Sequence, residues 1–140
     1  MKQIPVIYWT GTGNTQIMAE AVADAINAAG AEAVLQNVSE TNADEVAKYD
    51  AFALGCPAMG AEVLEECEFE PFFTELEGKL SGKKVALFGS YGWGGTYMQD
   101  WEARVKDAGA ELVANGVLAL GAPDDEALAK LAEAGKLLAK

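Results

Sequence analysis

The chain contains no histidine, only two cysteines, and ten basic side chains against 22 acidic ones. Without imidazole, every mechanism loses its commonest general base and metal ligand. Cys56 and Cys67 are too few and too irregularly set for a disulfide framework or a zinc site. The shortage of lysine and arginine leaves a net charge of −12. Nucleic acid is therefore excluded as a partner, since binding it depends on neutralising phosphates with cations. Half of the residues are hydrophobic, yet no run approaches a membrane span and no signal-peptide pattern opens the chain. A single cytoplasmic domain over residues 1–140 is expected, with no membrane partner.

What is present is most concentrated in residues 6 to 15, Val-Ile-Tyr-Trp-Thr-Gly-Thr-Gly-Asn-Thr. A strand-like apolar run ends in a loop of hydroxyls, glycines and an amide. Helical apolar spacing follows at Ile17, Met18, Ala21, Val22, Ala25, Ile26 and Ala29. Such a loop at a helix N-terminus is a seat for a phosphate, favoured by free N–H groups and the helix dipole. Gly11 and Gly13 allow close backbone approach, while Thr10, Thr12, Thr15 and Asn14 offer side-chain donors. The loop lacks the lysine of a nucleoside-triphosphate loop, and Gln16 breaks the dinucleotide fingerprint. A plain strand-to-helix turn capped by Thr12 or Asn14 is the competing reading.

Strand-like segments recur at Val6–Trp9, Ala33–Gln36, Ala51–Gly55, Val85–Gly89 and Leu112 to about Leu120. Three of them are nearly continuous apolar runs, as in strands covered on both faces. Helices are expected over Thr15–Ala29, near Ala43–Lys48 after an Asn42 cap, from Pro71, around Met98, Trp101, Val105 and Ala108, and over Asp124–Lys140. The alternation predicts an α/β three-layer sandwich: a five-stranded parallel sheet with helices on both sides. Pro5 belongs at a strand entrance. Ligands of such sheets sit beyond the C-terminal strand ends. The loops after Gly55 and Gly89 therefore join the phosphate loop as candidates. They carry Ala58, Met59, Gly60, Ala61 and Glu62, then Ser90, Tyr91, Gly92 and Trp93. Trp93 between two glycines suits stacking on a flat aromatic ligand or a lid on the sheet end. Met59 suits the ligand's other face or a core plug.

Gly89-Ser90-Tyr91-Gly92-Trp93-Gly94, Ala58-Met59-Gly60 and Glu62-Val63-Leu64-Glu65-Glu66 resemble the two flavin loops of short-chain, clostridial-type flavodoxins. Thr10-Gly11-Thr12-Gly13-Asn14-Thr15 is similar to their FMN-phosphate loop. The resemblance spans nearly the whole chain. It implies strand order 2-1-3-4-5, non-covalent FMN, and a low-potential one-electron carrier rather than an enzyme. That carrier would cycle between neutral semiquinone and hydroquinone, act as a monomer, and dock basic-faced redox proteins such as reductases and ferredoxin-using acceptors. On that template Trp93 and Met59 flank the ring, Glu62 accepts from its imide, and Gly60 contacts its redox-active nitrogen. A peptide at Gly60 that flips its carbonyl toward a newly protonated nitrogen would favour the semiquinone, since glycine tolerates the flipped conformation. A hydrogen bond of about 1 kcal/mol shifts a one-electron couple by on the order of 40 mV.

The chain departs from the pattern at Ala61, where an aspartate is usual, and in a tryptophan loop one residue short at Gly94-Gly95-Thr96. A response-regulator receiver needs an aspartate where Gly55-Cys56-Pro57 stands. A tyrosine phosphatase needs an arginine-ended loop that Cys56 does not open, so Cys56 reads as a small buried residue. The remaining alternatives are a flavodoxin-like, flavin-dependent quinone reductase and a flavin-storage or structural protein with no redox partner. The acidic run Glu62, Glu65, Glu66, Glu68, Glu70, Glu75 and Glu77 reads either as a solvated face or as a docking surface for basic partners.

Overall fold

The computed structural model describes residues 2–11, 13–58, 64–91 and 96–140. Apolar side chains alternating along β1 (Gln3–Tyr8) supply both faces of a parallel sheet. Ile4, Val6 and Tyr8 join one core, and Ile7 joins the other. Around β1 lie β2 (Glu32–Asn37), β3 (Ala51–Gly55) and β4 (Lys84–Tyr91), in the order β2-β1-β3-β4. The fifth sheet position is filled by two short strands, β5 (Glu111–Leu112) and β6 (Val117–Leu120), both parallel to β4. This is the expected order 2-1-3-4-5, with the last strand split.

The helices are α1 (Asn14–Ala28), α2 (Ala43–Val46), α3 (Phe69–Glu77), α4 (Tyr97–Asp107) and α5 (Asp125–Ala139). Met18, Val22 and Ile26 of α1 and Leu131 and Leu138 of α5 cover one face of the sheet. Phe69, Phe73 and Leu76 of α3 cover the other, with Met98, Trp101 and Val105 of α4. All five residues of β3 are buried, as a strand covered on both sides requires. Asn42 caps α2 by accepting the Glu45 N–H at 2.9 Å, and Asp124 caps α5 by accepting that of Ala127 at 2.8 Å. Helix α2 begins where the sequence placed it, and α5 begins one residue later, with Asp124 as its cap.

Three expectations need correction. Helix α3 starts at Phe69, two residues before Pro71, because the Glu65 carboxylate supplies acceptors for its first turn. The last strand breaks between Leu112 and Val117. There the Gly116 N–H turns to the Glu102 carboxylate of α4, 2.6 Å away. A Cβ at Gly116 would press on the buried Met98 side chain, which would have to shift to admit it. Pro5 lies inside β1, paired with Val34 of β2. The Glu32 N–H reaches Lys2 O, and the Trp9 N–H reaches Gly55 O on the opposite side. That alternation turns the Pro5 nitrogen, which has no N–H, toward β3, so the β1–β3 ladder begins only at Val6 although β3 itself starts at Ala51.

Candidate functional site

The C-terminal ends of β1, β3 and β4 meet at one edge of the sheet. The Trp9 N–H donates to Gly55 O at 3.0 Å, carrying the β1–β3 ladder one residue past Tyr8. The chain then turns: Thr10 Oγ1 accepts the Gly13 N–H at 3.0 Å. Gly13 adopts φ 97°, ψ −13°, a left-handed conformation that favours glycine. Gly13 is also the N-cap of α1, and no side-chain cap hydrogen bond forms there. The competing reading placed a Thr12 or Asn14 cap at this point. Asn14 is instead the first helical residue, and Thr12 lies outside the described residues. Among the described residues no side chain caps the first turn of α1.

Two of the predicted site residues touch directly. Thr15 Oγ1 and Ser90 Oγ, both buried, lie 3.1 Å apart, joining the start of α1 to the end of β4. The Ala58 N–H donates to Ser90 O at 3.0 Å, which brings the second loop to the same edge. Tyr91 is half-buried beyond Ser90, and its carbonyl accepts the Gly121 N–H at 3.0 Å. Thr10, Gly11, Gly13, Asn14, Thr15, Ala58, Ser90 and Tyr91 thus lie along the end of the sheet formed by β1, β3 and β4. Met59, Gly60, Ala61, Glu62, Gly92 and Trp93 lie outside the described residues.

Behind this edge Cys56 organises the exit of β3. Its carbonyl accepts the Tyr97 hydroxyl at 2.8 Å, and its Sγ accepts the Glu65 N–H at 3.3 Å. A Cβ at Gly89 would collide with that carbonyl and that hydroxyl, so the contact needs glycine in β4. Burial pushes the Cys56 thiol up to about 12. It is a buried, unreactive thiol, as expected of a packing residue.

The acidic run is not one surface. Glu65 is only 5% exposed, and its carboxylate accepts the N–H groups of Cys67, Glu68 and Phe69 at 2.8, 2.7 and 2.9 Å. Burial alone would raise its pKa, but those three donors outweigh burial and hold it below the ordinary value. Glu70 and Glu77 of α3 both grip Arg104 of α4. Glu70 binds it through two bonds of 2.8 and 2.9 Å, and Glu77 through bonds of 3.1 and 3.0 Å. The guanidinium also lies 4.7 Å from the centre of the Phe73 ring. Only Glu66, Glu68 and Glu75 of the described members are exposed. Glu68 in turn accepts the Trp9 indole N–H at 3.2 Å. Sequence reasoning missed the structural parts of Trp9, Glu65, Tyr97 and Arg104. No spacing rule separates one glutamate of such a run from the next.

A parallel sheet in this order with helices on both faces belongs to the doubly wound α/β class, and its C-terminal edge opens here on the start of α1. The flavodoxin family model matches residues 6–135, and the chain belongs to the flavodoxin family. It is 50% identical over 135 residues to flavodoxin from Clostridium beijerinckii, covering 96% of this chain and 97% of that one. It is 49% identical over 116 residues to flavodoxin from Megasphaera elsdenii, covering 82% and 85%. The solution structure of the two-electron reduced Megasphaera elsdenii protein superposes with a TM-score of 0.89 at 45% identity, covering 97% of this chain and 98% of that one. Flavodoxins are FMN-binding electron carriers, and FMN is the cofactor of this chain. The described residues fit its phosphate: a glycine-capped helix start, with Thr10 and Thr15 hydroxyls beside it. Among the described residues no helix is long and apolar enough to cross a membrane.

Proposed function

We propose that this chain is a low-potential one-electron carrier that works between the neutral semiquinone and the hydroquinone of FMN. Thr10, Gly11, Thr12, Gly13, Asn14 and Thr15 hold the phosphate. Ala58, Met59, Gly60, Ala61, Glu62, Ser90, Tyr91, Gly92 and Trp93 surround the ring. The observation that carries this reading is the start of α1, where Gly13 leaves the first-turn donors without a side-chain cap at the ligand edge of the sheet. Bound there, FMN supplies one-electron redox chemistry. The chain's own part is to seat the phosphate, cover the ring and set the charge around it. A protein of net charge −12 resists a further negative charge on its cofactor, which lowers the second reduction step.

The same charge favours basic-faced redox partners, with exposed Glu66, Glu68 and Glu75 as docking groups and electron-transfer rates that fall with salt. The protein acts as a monomer in the cytoplasm. Stepwise anaerobic reduction of the FMN-loaded protein tests the redox reading through its visible spectrum. A long-lived blue species before full reduction supports one-electron cycling, and Gly60→Ala should lower its yield more than it lowers FMN affinity. Direct passage to the two-electron-reduced form would instead mark a two-electron enzyme such as a quinone reductase.

A further inference from the structure

Trp9 ends the ladder of β1 and immediately precedes the phosphate loop, yet its indole is only partly buried. It packs against the core beneath α3 and α4, and its Nε1 donates to the exposed Glu68 carboxylate at 3.2 Å. The ring also lies against the backbone of the loop that follows. A Cβ built on Gly11 would stand 3.2 and 3.3 Å from Cη2 and Cζ3 of the indole. Glu68 is in turn fixed, because its N–H is bound by the Glu65 carboxylate at the start of α3. The chain of contacts therefore runs from a buried carboxylate, through Glu68 and the Trp9 ring, to the glycine that opens the phosphate loop.

We propose that Trp9, oriented by Glu68, is a positioning residue for the phosphate loop: the indole sets where the Gly11 backbone lies, and so where the loop's donors point. This rests on the site reading given above. The prediction concerns the phosphate end of the cofactor, because the Trp9 ring meets the backbone of Gly11 in the phosphate loop.

The test compares Glu68→Ala with Glu68→Gln in the apoprotein, with FMN and riboflavin as probes and flavin fluorescence as the readout. Both variants remove the same charge from an exposed position, and only Glu68→Gln keeps an acceptor for the Trp9 indole. Glu68→Ala should bind FMN about three- to fivefold more weakly than Glu68→Gln. Riboflavin, which has no phosphate, should bind the two equally. Trp9→Phe should repeat the pattern with a larger loss, about tenfold for FMN. Equal FMN affinities for the two Glu68 variants would overturn the inference, as would a matching loss for riboflavin. A parent chain that does not hold FMN would overturn the site reading itself, and this inference with it.

Discussion

Helix α3 begins against a buried carboxylate of its own chain: Glu65 takes the N–H groups of Cys67, Glu68 and Phe69. Helix α1 begins at Gly13, which has no side chain to offer and a backbone angle that suits glycine. Both helix starts carry the same partial positive charge and the same orphaned donors. At α3 the need is met internally, which stabilises the fold and ties the helix to the exit of β3 through Cys56. At α1 no side-chain cap hydrogen bond forms at Gly13, and on the proposed reading the cofactor's phosphate meets the need there. The helices differ in where their anion comes from.

Breaking the internally satisfied end has the largest expected effect. Glu65→Ala strands three backbone donors, that of Phe69 buried and those of Cys67 and Glu68 partly so, and should cost about 3 kcal/mol of folding stability, read from urea unfolding. Arg104→Ala should cost less, about 1–2 kcal/mol, since Glu70 and Glu77 are only half-buried and relax toward water. The same carboxylates give the fold an acid limit. Glu70 is held below its ordinary value of 4.5 chiefly by the Arg104 hydrogen bonds, and Glu65 is held there by its three N–H donors against the cost of burial. Groups depressed in the folded state contribute stability above their unfolded pKa and lose it as the pH falls through the folded one. Melting temperature should therefore drop below about pH 4.5, and Glu65→Ala should flatten that drop.

Much of this fold was legible because local signals and tertiary packing agree. The apolar runs of β1, β3 and β4, the Asn42 and Asp124 caps and the helical face of α4 each specify their element within a few residues. The failures share a cause: long-range contacts made the choice. The start of α3 was set by Glu65 rather than Pro71, and the break in the last strand by Glu102 reaching Gly116. Pro5 keeps its place in the β1–β2 pairing, and its missing N–H falls on the β3 side, where pairing begins only at Val6. At the site, the glycines and hydroxyls of residues 10–15 marked out a candidate anion seat by type and order alone. The Trp9–Glu68 bond, 59 residues apart in sequence, left no local trace. Seven glutamates that read as one face divide into a helix cap, an arginine clamp and an exposed remainder, with Glu62 outside the described residues.

Asn14→Asp tests most directly whether the start of α1 is kept for the cofactor's phosphate. A carboxylate in the first turn suits the helix dipole, so the apoprotein should gain about 0.3–1 kcal/mol in stability. The same charge opposes the phosphate, so FMN affinity should fall about tenfold while riboflavin affinity holds. Opposite movements of apoprotein stability and FMN binding are the predicted result. A variant that binds FMN as tightly as the parent would contradict the account, because the phosphate would then sit elsewhere.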